Sequence, residues 1–357
     1  MELFLKIVSP IKSYDFNNFI HNLLLSLPAS ILIGIILFFI LGFIPKLKSK
    51  EYRIYIVFSL TIIISFTIAL YNLGVSFETL VAVYSEWLHL IVRWIHIIVG
   101  VAWIGTSFYF NWLDSRLERD DPNFKHLDGY LWSVHSGGFY RIEKLKGPPE
   151  QLPKVLHWFK WEAYSTWISG FVLLILVYYL NASTMMLGND GIELSPLGSI
   201  FISILLLLGS WLLYDFTCRN SSEESQQTLV IIGFSIFVIM SYILTQIFGS
   251  RAAYIHVGAI IGTLMAANVF RVIIPAQKNL VNAAEKNKEP NLTLSLEAKN
   301  RSIHNNYFTL PVLFIMISSH FPFTYGSSYN WLILIIISIA GILTRHYFNL
   351  RNKKQYK

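Results

Sequence analysis

Charged residues are scarce in this chain of 357 residues. Only 14% of its positions are Asp, Glu, Lys or Arg, whereas 54% are hydrophobic. A water-soluble domain has roughly 25% charged residues, and the mean hydropathy of +0.51 is correspondingly high. Most of the chain therefore cannot face water, and a soluble enzyme is excluded.

Cysteine is nearly absent, since Cys218 is the single one in the sequence. One thiol cannot form a disulfide within the chain, and it cannot supply the thiolates of a zinc or iron–sulfur site. The sequence also lacks a Cys-x-x-Cys-His motif, so covalently attached c-type haem is not expected. Any redox group would have to be held by other side chains.

Long apolar runs are what the sequence has instead. A membrane-spanning helix needs ~20 mostly apolar residues, because the hydrocarbon layer is ~30 Å thick. The run at 303–320 is the weakest candidate, because it opens with His304-Asn305-Asn306 and contains Pro311, which only neighbouring helices or a cavity could accommodate. The sequence predicts an all-α integral membrane protein, a polytopic bundle of about nine transmembrane helices at 22–44, 54–73, 88–113, 162–181, 197–216, 227–248, 252–274, 303–320 and 329–348.

Basic residues are distributed unevenly between the segments that join these runs. Lys and Arg are concentrated after runs one, three, five, seven and nine, whereas the segments 74–87, 182–196 and 321–328 contain none. Cytoplasmic loops carry the excess of basic residues, and Lys6, Lys12 and Arg251 are too few to reverse the bias. We therefore expect the N-terminus outside and the C-terminus in the cytoplasm, in a bacterial inner membrane. The net charge of +7 reflects this excess of basic residues in the cytoplasmic loops. The lipid bilayer is an expected partner, and no nucleic acid is expected.

The chain is expected to have three parts: 1–84 is an amino-terminal extension with two spans, 85–348 is the main membrane domain, and 349–357 is a basic cytoplasmic tail. The longest water-facing loop, 114–161, is predicted to contain a β-hairpin on the inner face, because Ser136-Gly137-Gly138 separates two alternating aromatic segments. A second inner loop, 275–302, is polar, and its stretch 285–290 is predicted to be flexible.

Four histidines fall in the outer halves of three predicted helices: His89, His96, His256 and His320. Ionisable residues inside a membrane are costly and are functional candidates by default. Clustered imidazoles favour haem b, with His96 and His256 as the pair of iron ligands and His89 and His320 as alternates. The alternative is that each is a hydrogen-bonded core residue.

Small and basic residues accompany these histidines. Gly258, Gly262 and Ala266 are spaced by four, which is typical either of close helix packing or of room for a planar group. Arg93 lies between His89 and His96. Its side chain is expected either to reach the membrane interface or to pair with a haem propionate as part of the cofactor site.

Several uncommon strings point to one family. They are RWIHIIVGVAWIGTSFYF at 93–110, HSGGFY at 135–140, HWFKWEAY at 157–164, AAYIHVGAIIGT at 252–263 and HNNYFTLP at 304–311. Together they resemble the membrane-bound urate hydroxylase family, also called the urate oxidase amino-terminal domain, over about residues 85–348.

The resemblance implies an activity: oxidation of urate or a related purine to 5-hydroxyisourate, without hydrogen peroxide, with electrons passed to a cytochrome c. Family members often carry a carboxyl-terminal cytochrome c domain that this sequence does not show, so a separate cytochrome c-type acceptor is expected. The candidate catalytic residues are His135, Glu162, His304 and Asn305. Amides, imidazoles and aromatic rings that suit a planar anion are predicted on the inner side: His135, Phe139, Tyr140, Trp158, Glu162, His304, Asn305 and Asn306. The same residues could instead dock the loop onto the helix ends.

Two rival functions come from other classes of protein. One is a haem-bearing electron-transfer subunit without a substrate of its own. The other is a transporter or channel for a small solute, in which the histidines relay protons or gate the path. A haem absorbance band in the purified protein would disfavour the transporter, and its response to urate would favour the enzyme.

Overall fold

The computed structural model describes residues 16–42, 50–72, 74–149, 151–188, 192, 194–221 and 226–354. These residues form long helices and one antiparallel hairpin, together with the short turns Pro122–Phe124, Ala182–Met185 and Pro322–Tyr325. The helices are α1 (Phe16–Gly42), α2 (Lys50–Asn72), α3 (Phe77–Arg116), α4 (Trp161–Leu174), α5 (Pro196–Arg219), α6 (Gln226–Ile247), α7 (Ser250–Asn268), α8 (Ile274–Glu285), α9 (Leu292–Ser318) and α10 (Asn330–Lys354). The strands are β1 (Leu127–His135) and β2 (Gly138–Leu145).

Eight helical segments in the described part of the chain are long and apolar enough to cross a membrane. They are α1 to α6, the continuous segment from α7 to α8, and α10. The all-α architecture is thus confirmed, and eight of the nine predicted runs correspond to these candidate spans. The ninth run does form a helix, α9, but Glu297, Lys299 and Arg301 near its start make it more polar than a simple span. It packs against α7 and α10.

The first compact unit, Met1–Leu90, contains α1, α2 and the start of α3. Helices α1 and α2 are the two spans predicted for the amino-terminal extension. Their backbones approach closely, because Gly34 faces Thr61 with no room for a Cβ atom. The Ser26 hydroxyl donates to the Ser65 carbonyl across the pair at 2.9 Å.

Helix α3 is longer than the predicted span. It has 40 residues, which corresponds to about 60 Å at the helical rise per residue. The segment 74–87, expected to be an outer loop, is therefore helical from Phe77 onward. The Ser76 hydroxyl accepts from the Thr79 backbone N–H at 3.3 Å, and Glu78 favours the helix start because acidic side chains stabilise that end.

Helix α7 is central to the second unit, Ile91–Lys357, where it contacts α4, α5, α6 and α9. Its predicted glycine pattern is only partly used for packing. A Cβ atom on Gly258 would lie 2.7 Å from Ile315 of α9, so this glycine allows the two helices to approach closely. A Cβ atom on Gly262 would meet nothing within 4 Å.

The prediction of a polar loop at 275–302 is mostly wrong. Helix α7 continues through a π-turn, Val269–Ile273, into α8, which ends at Glu285. Helix α9 then begins at Leu292, and the Asn291 side chain caps it by accepting from the Leu294 N–H at 3.3 Å. Only 286–291 lies outside a helix. The residues on either side include good helix formers such as Ala, Lys and Glu, which favour helix although much of the segment is polar.

The predicted β-hairpin is confirmed. Val134 pairs with Phe139, and the two-residue turn between the strands consists of Ser136 at φ 50° and Gly137 at φ 77°. Positive φ at both turn residues matches the right-handed twist of the strands. On one face of the hairpin, Leu131 packs against Leu113 of α3 and against Leu117, the residue just after that helix. These contacts fix the hairpin to the end of α3.

Candidate functional site

A buried ion pair joins three helices of the second unit. Arg301 of α9 is only 1% exposed, and its Nη2 lies 2.8 Å from Oδ1 of Asp215 on α5. Its Nη1 donates to Oδ1 of Asn268 on α7 at 3.2 Å, and Glu297 Oε1 lies 3.5 Å from Nη2. A buried charge is tolerated only when it is paired and hydrogen-bonded. Arg301 meets that condition through side chains from three helices.

Hydrogen bonds extend from this ion pair to a predicted catalytic histidine. The Asn268 amide donates to the Tyr214 hydroxyl at 3.1 Å and to Asn305 Oδ1 at 2.9 Å. The Tyr214 hydroxyl is bonded to His304 Nδ1 at 2.8 Å. The Tyr214 hydroxyl has one proton, and where it donates that proton to Nδ1, a neutral His304 carries its own proton on Nε2. We call Tyr214, Asp215, Asn268, Arg301, His304 and Asn305 the polar network.

Local sequence explains how the polar network is assembled. Tyr214 and Asp215 are consecutive near the end of α5, and Asn268 is the last residue before the π-turn. On α9, residues 301, 304 and 305 are three and four positions apart, so they share one face of the helix. Sequence reasoning identified His304 and Asn305 but missed Tyr214, Asp215, Asn268 and Arg301. An acidic residue at the end of an apolar run was the available signal.

The rest of the predicted inner block lies elsewhere. His135, Phe139 and Tyr140 are exposed on the hairpin, and Trp158 packs beside Ala163 at the start of α4. Glu162 is in the first turn of α4; its Oε1 lies 3.8 Å from His157 Nε2, and its Oε2 is buried without a partner. Among the described residues no hydrogen bond or ion pair joins these side chains to the polar network. Asn306 also faces away from it, toward α10, where it accepts from Arg345 Nε at 2.7 Å.

His96 has the surroundings of a metal-binding histidine. Its Nδ1 is bonded to the Thr166 carbonyl at 3.1 Å and to the Ser169 hydroxyl at 3.0 Å. Such bonds to one ring nitrogen fix the imidazole and leave Nε2 for a ligand bond. Gly170 faces the ring, since a Cβ atom there would lie 3.0 Å from His96 Cε1. His96 therefore fits the role of an axial haem ligand.

His256 is arranged differently. It is 1% exposed, its Nδ1 is bonded to the Ala252 carbonyl at 2.7 Å, and its Nε2 is bonded to the Ser203 hydroxyl at 2.8 Å. The Phe248 ring stacks on it at 4.5 Å. With both nitrogens engaged, His256 could bind iron only by giving up Ser203, so the predicted pair with His96 does not fit as it stands.

The remaining cofactor candidates are less enclosed. His89 is half-buried on α3 in the first unit, whereas Arg93, one turn further along that helix, is exposed. His320 is exposed in the turn after α9. Across the described ranges no group of three or more His, Cys, Asp or Glu side chains is arranged to hold a metal ion. A haem needs only one or two axial ligands, so this observation does not bear on the predicted haem.

Ion pairs give the hairpin its own electrostatics. The Arg119 guanidinium, 2.7 Å from Asp128, lowers the pKa of that carboxyl group. The pKa of Asp121 is also lowered, mainly because its carboxylate accepts from the Asn123 backbone N–H. A hydrogen bond to Asp121 raises the pKa of Tyr130 to about 12. The hairpin is thus held in place by carboxylates that must stay ionised.

One family model matches most of the chain: that of the urate oxidase N-terminal family, over residues 82–357. The match includes the hairpin, the polar network and His96. No curated protein and no solved structure matches the chain.

Proposed function

The chain belongs to the urate oxidase N-terminal family, and on that premise we propose that it is a membrane oxidoreductase that oxidises urate or a related purine. The balanced reaction combines urate and water to give 5-hydroxyisourate, two protons and two electrons. The electrons pass, one at a time, to a cytochrome c-type acceptor. Because oxygen is not the oxidant, no hydrogen peroxide forms.

The polar network is the observation that supports a place for the substrate. Urate is planar and carries carbonyl oxygens at its edge, which suit an N–H donor held in a fixed direction. We assign that role to His304 Nε2, with Tyr214 and Asn268 as positioning residues that hold the imidazole through Nδ1. Arg301 is neutralised by Asp215, so its role is to fix the helices.

Glu162 is the second candidate within this proposal. The oxidation releases two protons, and a carboxylate oxygen without a hydrogen-bond partner can accept one of them. Glu162 Oε2 is buried and has no hydrogen-bond partner, so its accepting capacity is unused. We assign it as a proton acceptor at the start of α4.

Haem b is the redox group that we propose for the reaction. When bound, it would supply one-electron steps between the substrate and the acceptor. His96 would hold the iron through Nε2, since Thr166 and Ser169 already fix the other nitrogen. His89 and His320 remain alternates for the second ligand position, and His256 becomes one only if it releases Ser203.

Membranes that contain the protein provide the test of activity. Urate should disappear only when an acceptor such as oxidised cytochrome c is supplied, with two equivalents reduced per urate and no effect of catalase. His304→Gln and Tyr214→Phe should lower the rate by roughly 10- to 100-fold, whereas His126→Ala, exposed on the hairpin loop, should not. If wild-type membranes consume no urate with any acceptor, the electron-transfer subunit becomes the better assignment.

The redox group is tested separately by absorbance. Purified protein should show a b-type haem spectrum, and acidic acetone should extract the haem because no cysteine attaches it. His96→Ala should lose most of this spectrum, while His304→Gln should keep it. A full spectrum in His96→Ala would remove the proposed ligand, and a spectrum absent from the wild type would favour the transporter.

A further inference from the structure

Among the described residues of the second unit, two arginines are buried, and their surroundings differ. Arg301 has Asp215 at 2.8 Å, as described above. Arg345 of α10 is 8% exposed, and no carboxylate in the described part of the chain lies within 4.0 Å of it. Its guanidinium instead lies over the Phe108 ring of α3, 4.1 Å from the centroid. A buried positive charge without a counter-ion is costly, so Arg345 lacks a partner that Arg301 has.

Around Arg345, hydrogen-bond donors outnumber the available acceptors. Arg345 uses its Nε on Asn306 Oδ1 at 2.7 Å, and Asn349 donates to the same oxygen at 3.3 Å. The Nη groups of Arg345, with four N–H bonds, have no hydrogen-bond acceptor among the described residues. Asn306 is 1% exposed, and its Nδ2 is buried without a partner. One carboxamide oxygen is thus shared by two donors while several further donors are unused.

We propose that Arg345 and Asn306 form a binding site for an oxyanion, either a phosphate or a carboxylate group. The planar fork of a guanidinium binds two oxygens of such a group at once. An oxyanion would supply both the missing negative charge and the missing acceptors. This site is separate from the polar network, and it stands whether or not urate is the substrate.

The position of the site suggests two sources for the anion. Arg345 lies five residues before the end of the apolar segment Asn330–Leu350, close to the level where lipid headgroups begin. Leu343, Tyr347 and Phe348 beside it are exposed, as expected for a helix that contacts acyl chains. A phospholipid phosphate therefore suits the site, and a soluble oxyanion has the same chemistry.

Thermal unfolding of the purified full-length protein in neutral detergent tests the proposal. The probes are phosphatidylglycerol, inorganic phosphate and acetate, each titrated separately. At least one should raise the Tm of the wild type, and Arg345→Gln should weaken its apparent Kd by at least about tenfold. Arg271→Gln removes the same charge from an exposed position on the π-turn and should leave the Kd unchanged.

The pattern of responses identifies the source. A response to phosphatidylglycerol alone assigns the site to a lipid, and a response to phosphate or acetate assigns it to a soluble anion. Both results support an oxyanion site. If none of the three raises the wild-type Tm, or if Arg345→Gln responds as the wild type does, the proposal is wrong.

A second variant keeps the test decisive even if Arg345→Gln does not fold. Asn306→Asp keeps the size of the side chain but replaces the unpartnered Nδ2 with an acceptor, so it supplies a permanent counter-ion to Arg345. This variant should have a higher Tm than the wild type without added anion and should no longer respond to the anion. An undiminished response in Asn306→Asp would also overturn the site.

Discussion

Replacement of the buried Arg301 by methionine should destabilise the protein far more than replacement of Arg219, which is exposed and pairs with the same carboxylate. Arg301 is buried, and its guanidinium is bonded both to Asp215 and to Asn268. Met has a similar length and fills the space without a charge. The variant therefore removes the electrostatic partner of Asp215 while leaving the packing nearly intact.

The structure allows the magnitude to be worked out. Removing one partner of a buried ion pair costs about 3–5 kcal/mol, because the remaining charge loses its compensation. Asp215 is 18% exposed and keeps Arg219 at 2.8 Å, which reduces the cost, but Asn268 loses a donor, which adds to it. Arg219→Met is the matched control. That side chain is 56% exposed, and removing its ion pair with the same carboxylate should cost about 0–1 kcal/mol.

Chemical unfolding in mixed micelles, followed by tryptophan fluorescence, measures the two free energies of unfolding. The double variant Asp215→Leu, Arg301→Met should recover most of the loss, since replacing both partners leaves no buried charge. Equal destabilisation by Arg301→Met and Arg219→Met would refute the reasoning, because it would mean that burial does not increase the contribution of an ion pair to the free energy of unfolding.

Three further predictions concern other parts of the chain. A reporter fused within the hairpin loop should report cytoplasm and one fused near Gly188 the outside, because basic residues mark the cytoplasmic side; the reverse pattern would invert the orientation. The pKa of Asp128 is lowered in the folded protein. The contribution of its carboxylate to hairpin stability should therefore be complete above the unfolded pKa of about 3.9 and be lost as the pH falls toward the folded pKa. Limited proteolysis should detect this loss, and Asp128→Asn should show a smaller change over that pH window, because Asp121 still titrates there. Gly258→Ala should lower the Tm because its methyl group would crowd Ile315, whereas Gly262→Ala, with open space, should be neutral or gain about 0.5–1 kcal/mol in helix propensity; equal effects would contradict the packing.

The sequence predicted those elements whose signals are local. Apolar runs located the spans, and Ser136 with Gly137 located the hairpin turn, because both depend on residues close together in the chain. Hydropathy failed at the ends of helices. It placed the start of a span at 88, although the backbone is already helical at Phe77, because polar residues such as Glu86 interrupt an apolar window without interrupting a helix.

The site was predictable only in part, for a different physical reason. His304 and Asn305 stood out as polar residues at the start of an apolar run and within a family string. Their partners Tyr214 and Asn268 lie 37 or more positions away along the chain, so no periodicity relates them. Whether a histidine has a free nitrogen is likewise decided by tertiary contacts, as the Ser203 bond to His256 illustrates.

The π-turn at Val269–Ile273 gives the long segment of α7 and α8 a change of angular phase. An α-helix advances about 100° per residue, and a π-turn holds one residue more per turn than an α-turn does. Deleting one residue there would nearly cancel any rotation, whereas converting this turn into regular α-helix without a deletion would rotate everything from Ile274 onward by roughly that angle relative to Asn268. The side chains of α8 that are now buried, such as Ala276, would then point in another direction. The π-turn thus allows one continuous helical segment to have two separately oriented faces, one on α7 toward the polar network and one on α8.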